Sequence, residues 1–168
     1  MKCSCGSNCG SSLNYKILCS QCKVQGKPVP AQVVKNFIKT EFQKKIKSKE
    51  YLLCLNPDCA VAYFSRDGSE LYTINDIRKP IWFKKGASPK IACYCNSITD
   101  DQVREAVVKH GLTSWKSIVL HYRKKAFCLC ERINPAGECC TEQFYDIINK
   151  ALRSIGKRSV GIPASCCG

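Results

Sequence analysis

The stretch "CYCNSITDDQVREAVVKHG", residues 93–111, begins with two cysteines one residue apart and continues directly into a helical pattern. Within it, Thr99 and Gln102 stand at the spacing of a capping box, which predicts that a helix begins there. One cysteine beside a helix is compatible with core packing, whereas two on the same turn indicate a pair of ligands. We therefore expect Cys93 and Cys95 to bind one group together, with partners from another part of the chain.

Residues 96–127 contain no cysteine, so the partners are expected after them. This interval has two helical patterns, 99–111 and 113–126, separated at Gly111. An αα-hairpin of this kind brings its two ends together, and the helix N-termini there favour an anionic cluster. Four cysteines suffice for a 2Fe–2S cluster; structural thiols or a second zinc site are the alternatives. The candidate ligands are Cys93, Cys95, Cys128, Cys130, Cys139 and Cys140.

A second set of cysteines has the paired spacing of a zinc site. Cys19 and Cys22 form a C-x2-C pair, and Cys54 and Cys59 form a C-x4-C pair. Four thiolates from two such corners suit a tetrahedral zinc ion. A closed metal site also compensates for the small hydrophobic core of a short domain. Rubredoxin-like iron in the same cage, and buried thiols without metal, are the alternatives.

The predicted fold class is α+β, a small zinc-ribbon-like α/β subdomain followed by a helical 2Fe–2S-binding αα-hairpin domain. In the first subdomain, apolar spacing predicts one helix over 30–46, and "YLLCLNPDCAVAYFS" (51–65) predicts a hairpin. A change of composition at 84–90 predicts the domain boundary, and Thr141 is predicted to cap a helix over 141–155. The predicted segments are a Cys-rich flexible tail (1–18), the zinc-binding subdomain (19–90), the cluster domain (91–155) and a C-terminal tail with vicinal cysteines (156–168).

Composition and charge narrow the class of protein. Fifteen cysteines in 168 residues indicate that cysteine chemistry organises the fold. The first residues lack the apolar core of a secretory signal, and no stretch has the length of a membrane span. We therefore expect a cytoplasmic chain whose thiols are reduced and bind metal. The formal net charge is +14, but the lysines are not interleaved with aromatic residues, which argues against nucleic-acid binding. No Ser-His-Asp set, P-loop or pair of carboxylates occurs, so an enzyme is not predicted.

Five motifs in order resemble the N-terminal domain of CopZ-type copper chaperones, and the second half is similar to bacterioferritin-associated ferredoxin. The motifs, within residues 19–150, are "CSQCKVQGKPV", "CLNPDCAVAYF", "DIRKPIWF", "CYCNSITDDQV" and "CLCERINPAGECC". The last of them departs from the closing C-x2-C pair of the ferredoxin family. The resemblance implies a zinc ion and a 2Fe–2S cluster. The implied zinc ligands are Cys19, Cys22, Cys54 and Cys59. The implied cluster ligands are Cys93, Cys95, one of Cys128 and Cys130, and one of Cys139 and Cys140, and our preference is Cys130 with Cys140.

The full-length chaperones carry a second domain with a Met-x-Cys-x-x-Cys copper loop, whereas the only methionine here is Met1. Cysteines in the two tails are candidate substitutes for that loop. Thiolates select Cu(I), and they bind mercury or arsenite by the same preference. The candidate soft-metal ligands are Cys3, Cys5, Cys9, Cys166 and Cys167.

Together, these features predict a metal-binding protein with zinc and a 2Fe–2S cluster that acts as a soft-metal (copper) chaperone. It would reduce Cu(II) to Cu(I) stoichiometrically and hold the Cu(I) on thiols. The alternative is a ferredoxin-type electron-transfer protein without metal cargo. The expected partners are copper or another soft metal ion, and a metal-transporting ATPase or a redox protein.

Overall fold

The computed structural model describes residues 17–165. In chain order the elements are β1 (Gly26–Pro30), α1 (Ala31–Phe37), α2 (Thr40–Gln43), β2 (Glu50–Cys54), β3 (Val61–Ser65), β4 (Leu71–Thr73), β5 (Ile91–Cys93), β6 (Ile98–Thr99), α3 (Asp100–His110), α4 (Trp115–Tyr122), α5 (Cys130–Ile133) and α6 (Thr141–Ser154). Helices combine with a small antiparallel sheet, so the predicted α+β class is confirmed. Within the described range, no helix is both long and apolar enough to cross a membrane.

The predicted soft-metal ligands of the two tails lie outside the described residues. They are Cys3, Cys5, Cys9, Cys166 and Cys167.

Strands β1 to β4 form an antiparallel sheet in the order β1-β2-β3-β4. The hairpin predicted over 51–65 is present, and Leu52 pairs with Phe64 across it. Strand β1 adds to its other side, where Gly26 opposes Cys54. A Cβ on Gly26 would lie 2.6 Å from the Phe64 ring, so only glycine fits this close approach. The hairpin thereby brings its two cysteines to one end of the sheet.

The single helix predicted over 30–46 is wrong, because the chain forms two short helices there, α1 and α2. Between them, Ile38 adopts an extended backbone (φ −68°, ψ 141°) and forms a β-bridge with Ile77. The Ile38 side chain is fully buried in this arrangement. Burial and the bridge to a distant segment therefore override the local helical pattern.

Helix α3 has the predicted ends. The Thr99 hydroxyl accepts a hydrogen bond from the Gln102 backbone N–H, and the Gln102 side chain accepts one from the Thr99 backbone, which completes the capping box. Gly111 ends the helix with φ 64°, in the left-handed region that favours glycine. The apolar face predicted from the sequence is buried, with Val103 and Val107 fully inaccessible.

Helix α4 is shorter than its predicted range of 113–126. It ends at Tyr122 because Arg123 adopts an extended conformation (φ −133°, ψ 146°). The Arg123 guanidinium donates to the backbone oxygens of Asn96 and Ser97, at 2.9 Å each. This contact ties the end of α4 to the turn that follows Cys95.

Helix α6 packs a broad apolar face against α3 and α4, with Phe144 and Ile148 fully buried. The prediction that Thr141 caps this helix is wrong, since Cys140 occupies the N-cap position and Thr141 is the first helical residue. The Thr141 hydroxyl instead contacts Cys139 Sγ at 2.9 Å. Helix α5, a single turn that begins at Cys130, was not predicted.

Tyr94 connects the sheet and the helices. Cys93 and Cys95 join the helical core, whereas Tyr94, the first residue of the turn after β5, joins the core beside the sheet. The Tyr94 hydroxyl donates to Pro80 O (2.7 Å) and accepts from Trp82 N–H (3.0 Å). One apolar cluster thus spans the predicted boundary at 84–90, and the division into segments stays a prediction.

Candidate metal centres

The sulfur atoms of Cys19, Cys22, Cys54 and Cys59 all lie within 4.8 Å of one another. The Sγ–Sγ distance is 3.9 Å for Cys19 and Cys59, and 3.6 Å for Cys22 and Cys54. Three of these thiols are buried, and Cys22 is partly exposed. The paired spacing in the sequence therefore identified four cysteines whose sulfur atoms lie close together in the structure.

Two tight turns position these cysteines. In the first, Cys19 N–H donates to Val24 O and Lys23 N–H donates to Cys19 O, at 2.9 Å each, with Lys23 at φ 59°. The second turn joins β2 to β3, and the Asn56 side chain accepts a hydrogen bond from Asp58 N–H at 3.0 Å. Both turns direct their thiols into the same small space.

Backbone N–H groups favour thiolate at three of the four positions. Cys22, Cys54 and Cys59 each accept a backbone hydrogen bond from the residue two positions later. Burial raises the pKa of Cys22, but hydrogen bonds from Val24 N–H and with the neighbouring thiols lower it to about 6. Burial raises the pKa of Cys54 to about 12 and also raises that of Cys59. A cation is therefore needed to make the buried thiols ionise together.

The donor set fits a zinc ion. Four sulfurs at about 2.3 Å from a tetrahedral centre are about 3.8 Å apart. The two distances given above, 3.9 and 3.6 Å, bracket this value. A closed cage of four thiolates with no position left for water is typical of a structural zinc site.

A second group of buried thiols lies where the helices meet the β5–β6 turn. Cys95 Sγ is 3.7 Å from Cys130 Sγ, and Cys93 is hydrogen-bonded to both Cys95 and Cys140. Cys93 ends β5, Cys95 lies in the turn after it, Cys130 begins α5 and Cys140 is the N-cap of α6. Leu129 N–H donates to Cys95 Sγ at 3.2 Å, so the two ends of the predicted hairpin do lie together.

Asn96 supports this second group and was missed in the sequence analysis. Its side chain is buried and donates to Cys93 Sγ (3.4 Å) and to Phe127 O (2.9 Å), while its amide oxygen accepts from Phe127 N–H (3.2 Å). Hydrogen bonding from Cys140, Cys95 and Asn96 lowers the pKa of Cys93 to about 2. Hydrogen bonding with Cys130 and Cys93, together with burial, raises the pKa of Cys95. The position of Asn96 directly after the C-x-C pair is the sequence feature that could have identified it.

The two remaining candidates differ from these four. Cys139 is exposed, whereas its neighbour Cys140 is buried, so the two side chains point in different directions. Cys128 Sγ lies 3.7 Å from Cys130 Sγ and is disulfide-bonded, which departs from the expectation of reduced thiols. The structure thus gathers Cys93, Cys95, Cys130 and Cys140 in the buried group.

Comparisons with known proteins indicate which class of metal site the first thiol group belongs to. Residues 16–78 match the family model of the CopZ zinc binding domain. This range contains all four cysteines of the first group, so the comparisons support an N-terminal zinc-binding domain of the CopZ type with zinc as its metal.

A curated relative is the copper chaperone CopZ of Archaeoglobus fulgidus, which is 28% identical over 122 residues, or 73% of this chain. The chain spans 57% of the length of that relative. A solved structure, the N-terminal domain of Archaeoglobus fulgidus CopZ, matches with a TM-score of 0.59 and 25% identity. That match covers 83% of this chain and 98% of the solved one. The chain is therefore similar to a copper chaperone, a role that is not enzymatic.

Proposed function

We propose that this chain is a soft-metal (copper) chaperone with a structural zinc ion and a 2Fe–2S cluster. The observation that carries the proposal is that two separate groups of thiols converge in one fold, one beside the sheet and one among the helices. Its similarity to the copper chaperone CopZ supports copper as the cargo.

The zinc ion would be held by Cys19, Cys22, Cys54 and Cys59 and would have a structural role. The apolar cluster around these thiols is small, comprising Leu52, Val61, Phe64 and the cysteines themselves. A cluster of this size supplies little hydrophobic stabilisation, so metal binding would contribute most of the local folding free energy.

The residues of the second group fit a 2Fe–2S cluster, with Cys93, Cys95, Cys130 and Cys140 as the ligands. Four cysteine thiolates are the ordinary ligands of this cluster. All four are buried, and Asn96 and Leu129 donate N–H groups to Cys93 and Cys95. Hydrogen bonds to the ligating sulfurs stabilise their negative charge and adjust the reduction potential.

Copper handling would combine this group with the cysteines of the tails. A bound cluster, once reduced by a redox protein, would supply one electron, which would convert one Cu(II) to Cu(I) and leave the cluster oxidised. Cu(II) prefers nitrogen and oxygen ligands, whereas Cu(I) prefers thiolate, so thiols hold the reduced ion. The proposed cargo ligands are Cys3, Cys5, Cys9, Cys166 and Cys167, and the resulting reaction is stoichiometric, not enzymatic.

A ferredoxin-type electron-transfer protein is the second candidate. Two large apolar side chains beside the second thiol group, Phe127 and Leu129, are 48% and 49% exposed. Apolar side chains at the surface near a redox centre would suit the docking of a redox protein. This function requires the cluster and has no use for cysteines in the tails.

Copper titration separates the two functions. The dithionite-reduced protein should be reoxidised by about one Cu(II) per cluster, because each 2Fe–2S cluster gives up one electron. The Cu(I) formed should remain bound against a weak chelator. A variant lacking Cys166 and Cys167, or a chain truncated before residue 10, should still reduce Cu(II) but retain less Cu(I).

The control for the tail variants is Ser165→Ala, which should retain as much Cu(I) as the parent chain. Equal retention by the truncated and full chains would exclude the tails as the cargo site. A reduced protein that does not react with Cu(II) would favour the ferredoxin-type function.

A further inference from the structure

Lys84 is a buried cation beside the first thiol group. The residue is only 3% exposed, and its ammonium donates to Asn56 O (2.8 Å) and Cys59 O (3.2 Å). It also lies 5.6 Å from the centroid of the Phe83 ring. The ion pairs among the described residues do not include Lys84, so no carboxylate there balances its charge.

A buried ammonium without a counter-charge is costly. Removing such an ion from water costs several kcal/mol even after relaxation, and two carbonyl dipoles offset only part of that cost. Cys59, whose backbone oxygen accepts from Lys84, belongs to the first thiol group, which can supply negative charge. Four thiolates around one divalent zinc carry a net charge of about −2. The buried ammonium and the metal-loaded cage therefore have complementary charges.

The hydrogen bonds of Lys84 point to the same cage. Its two acceptors lie in the 54–59 loop, one on Asn56, which precedes the turn at 57–58, and one on Cys59 itself. The positive charge also acts on Cys54, lowering the pKa of that thiol against the opposing effect of burial. One side chain thus fixes the loop and adds positive charge beside it.

We propose that Lys84 is a positioning residue for the first metal centre, which supplies the counter-charge of the zinc-loaded cage and holds the 54–59 loop in its ligating geometry. This inference rests on the proposed zinc site. Lys84 should increase the affinity for zinc, because its charge is balanced only when the four cysteines are ionised around the metal.

Lys85 offers a matched control. It is the next residue and carries the same charge, but its side chain is 82% exposed and pairs with Asp58 at 3.2 Å. An exposed pair of this kind contributes little to stability. Lys84→Met and Lys85→Met therefore remove the same charge from a buried and an exposed position.

The test is a titration of each metal-free variant with zinc in a chelator buffer. The measured quantity is the fraction of zinc-bound protein at each free zinc concentration. Lys84→Met should need about 10 to 100 times more free zinc than the parent chain, the usual effect of removing a group that supports metal ligands. Lys85→Met should bind zinc with the parent affinity. Equal zinc affinity for Lys84→Met and the parent would overturn the inference.

Thermal unfolding of the zinc-loaded protein distinguishes a charge effect from lost packing. Lys84→Met removes the charge, whereas Lys84→Arg retains it, so Lys84→Met should have the lower unfolding midpoint. A midpoint for Lys84→Met equal to or above that of Lys84→Arg would contradict the inference.

If Lys84→Met does not fold even at saturating zinc, Lys84→Arg and Lys84→Gln provide the comparison. Both retain donors to the loop carbonyls but differ in charge, so the glutamine variant should need more zinc than the arginine variant. Equal zinc requirements would overturn the inference. A parent chain that binds no zinc would instead overturn the proposed zinc site itself.

Discussion

Cys22→Ser is expected to release the zinc ion and to unfold residues 19–85. Structural zinc contributes an apparent binding free energy of about 10–16 kcal/mol, which is comparable to or larger than the total stability of a typical domain, about 5–15 kcal/mol. Cys22 is the partly exposed member of its group, so serine leaves no cavity in the core. A large effect at this position would therefore come from the lost metal ligand and not from lost packing.

Zinc content and amide hydrogen exchange measure this effect. The serine variant should lose about one zinc per chain, as expected for one closed four-ligand site, and its protection should fall across 19–85. Ser20→Ala, an exposed change between Cys19 and Cys22, should alter neither quantity. A Cys22→Ser protein that keeps its zinc and its protection would show that these four cysteines are not a metal site.

Cys95→Ala is expected to remove iron and visible colour while the zinc stays bound. Cys95 is the central thiol of the second group, since it contacts both Cys93 and Cys130. Alanine is only slightly smaller than cysteine, so packing should change little. The loss of one of four thiolate ligands should prevent assembly of a 2Fe–2S cluster.

Position 139 provides the control for this second replacement. Cys139→Ala, at an exposed position beside the buried Cys140, should keep both iron and colour. Iron analysis and the visible spectrum of anaerobically purified protein give the comparison. Loss of iron from Cys139→Ala would contradict the choice of Cys140 over Cys139 as a ligand. Retention of iron by Cys95→Ala would contradict the assignment of Cys95 itself.

Features set by local chemistry could be predicted from the sequence. The capping box at Thr99 and the glycine at 111 define the ends of α3, because both act through their own backbone neighbours. The C-x2-C and C-x4-C pairs predicted the first thiol group, since each pair sits on a tight turn or a hairpin that the sequence itself encodes. The gap without cysteine after Cys95 likewise predicted which distant thiols would approach it.

Features that depend on distant partners could not be predicted in this way. The break at Ile38 arises from a bridge to Ile77, a pairing that local periodicity does not contain. Lys84 and Lys85 are adjacent lysines that the sequence alone does not distinguish. Only the fold shows that Lys84 is buried and Lys85 is exposed. Cys130 was preferred over Cys128, but it is the one-turn helix α5, formed by tertiary contacts, that buries it.

The presence of two different centres in one chain is tested most directly by metal and sulfide analysis of the anaerobically purified protein, combined with its visible spectrum. We expect a red-brown protein with about one zinc, held by the four thiolates of the first group. The second group should add about two irons and two acid-labile sulfides per chain. A colourless protein with two zinc ions and no sulfide would contradict the cluster and, with it, the proposed reduction of copper.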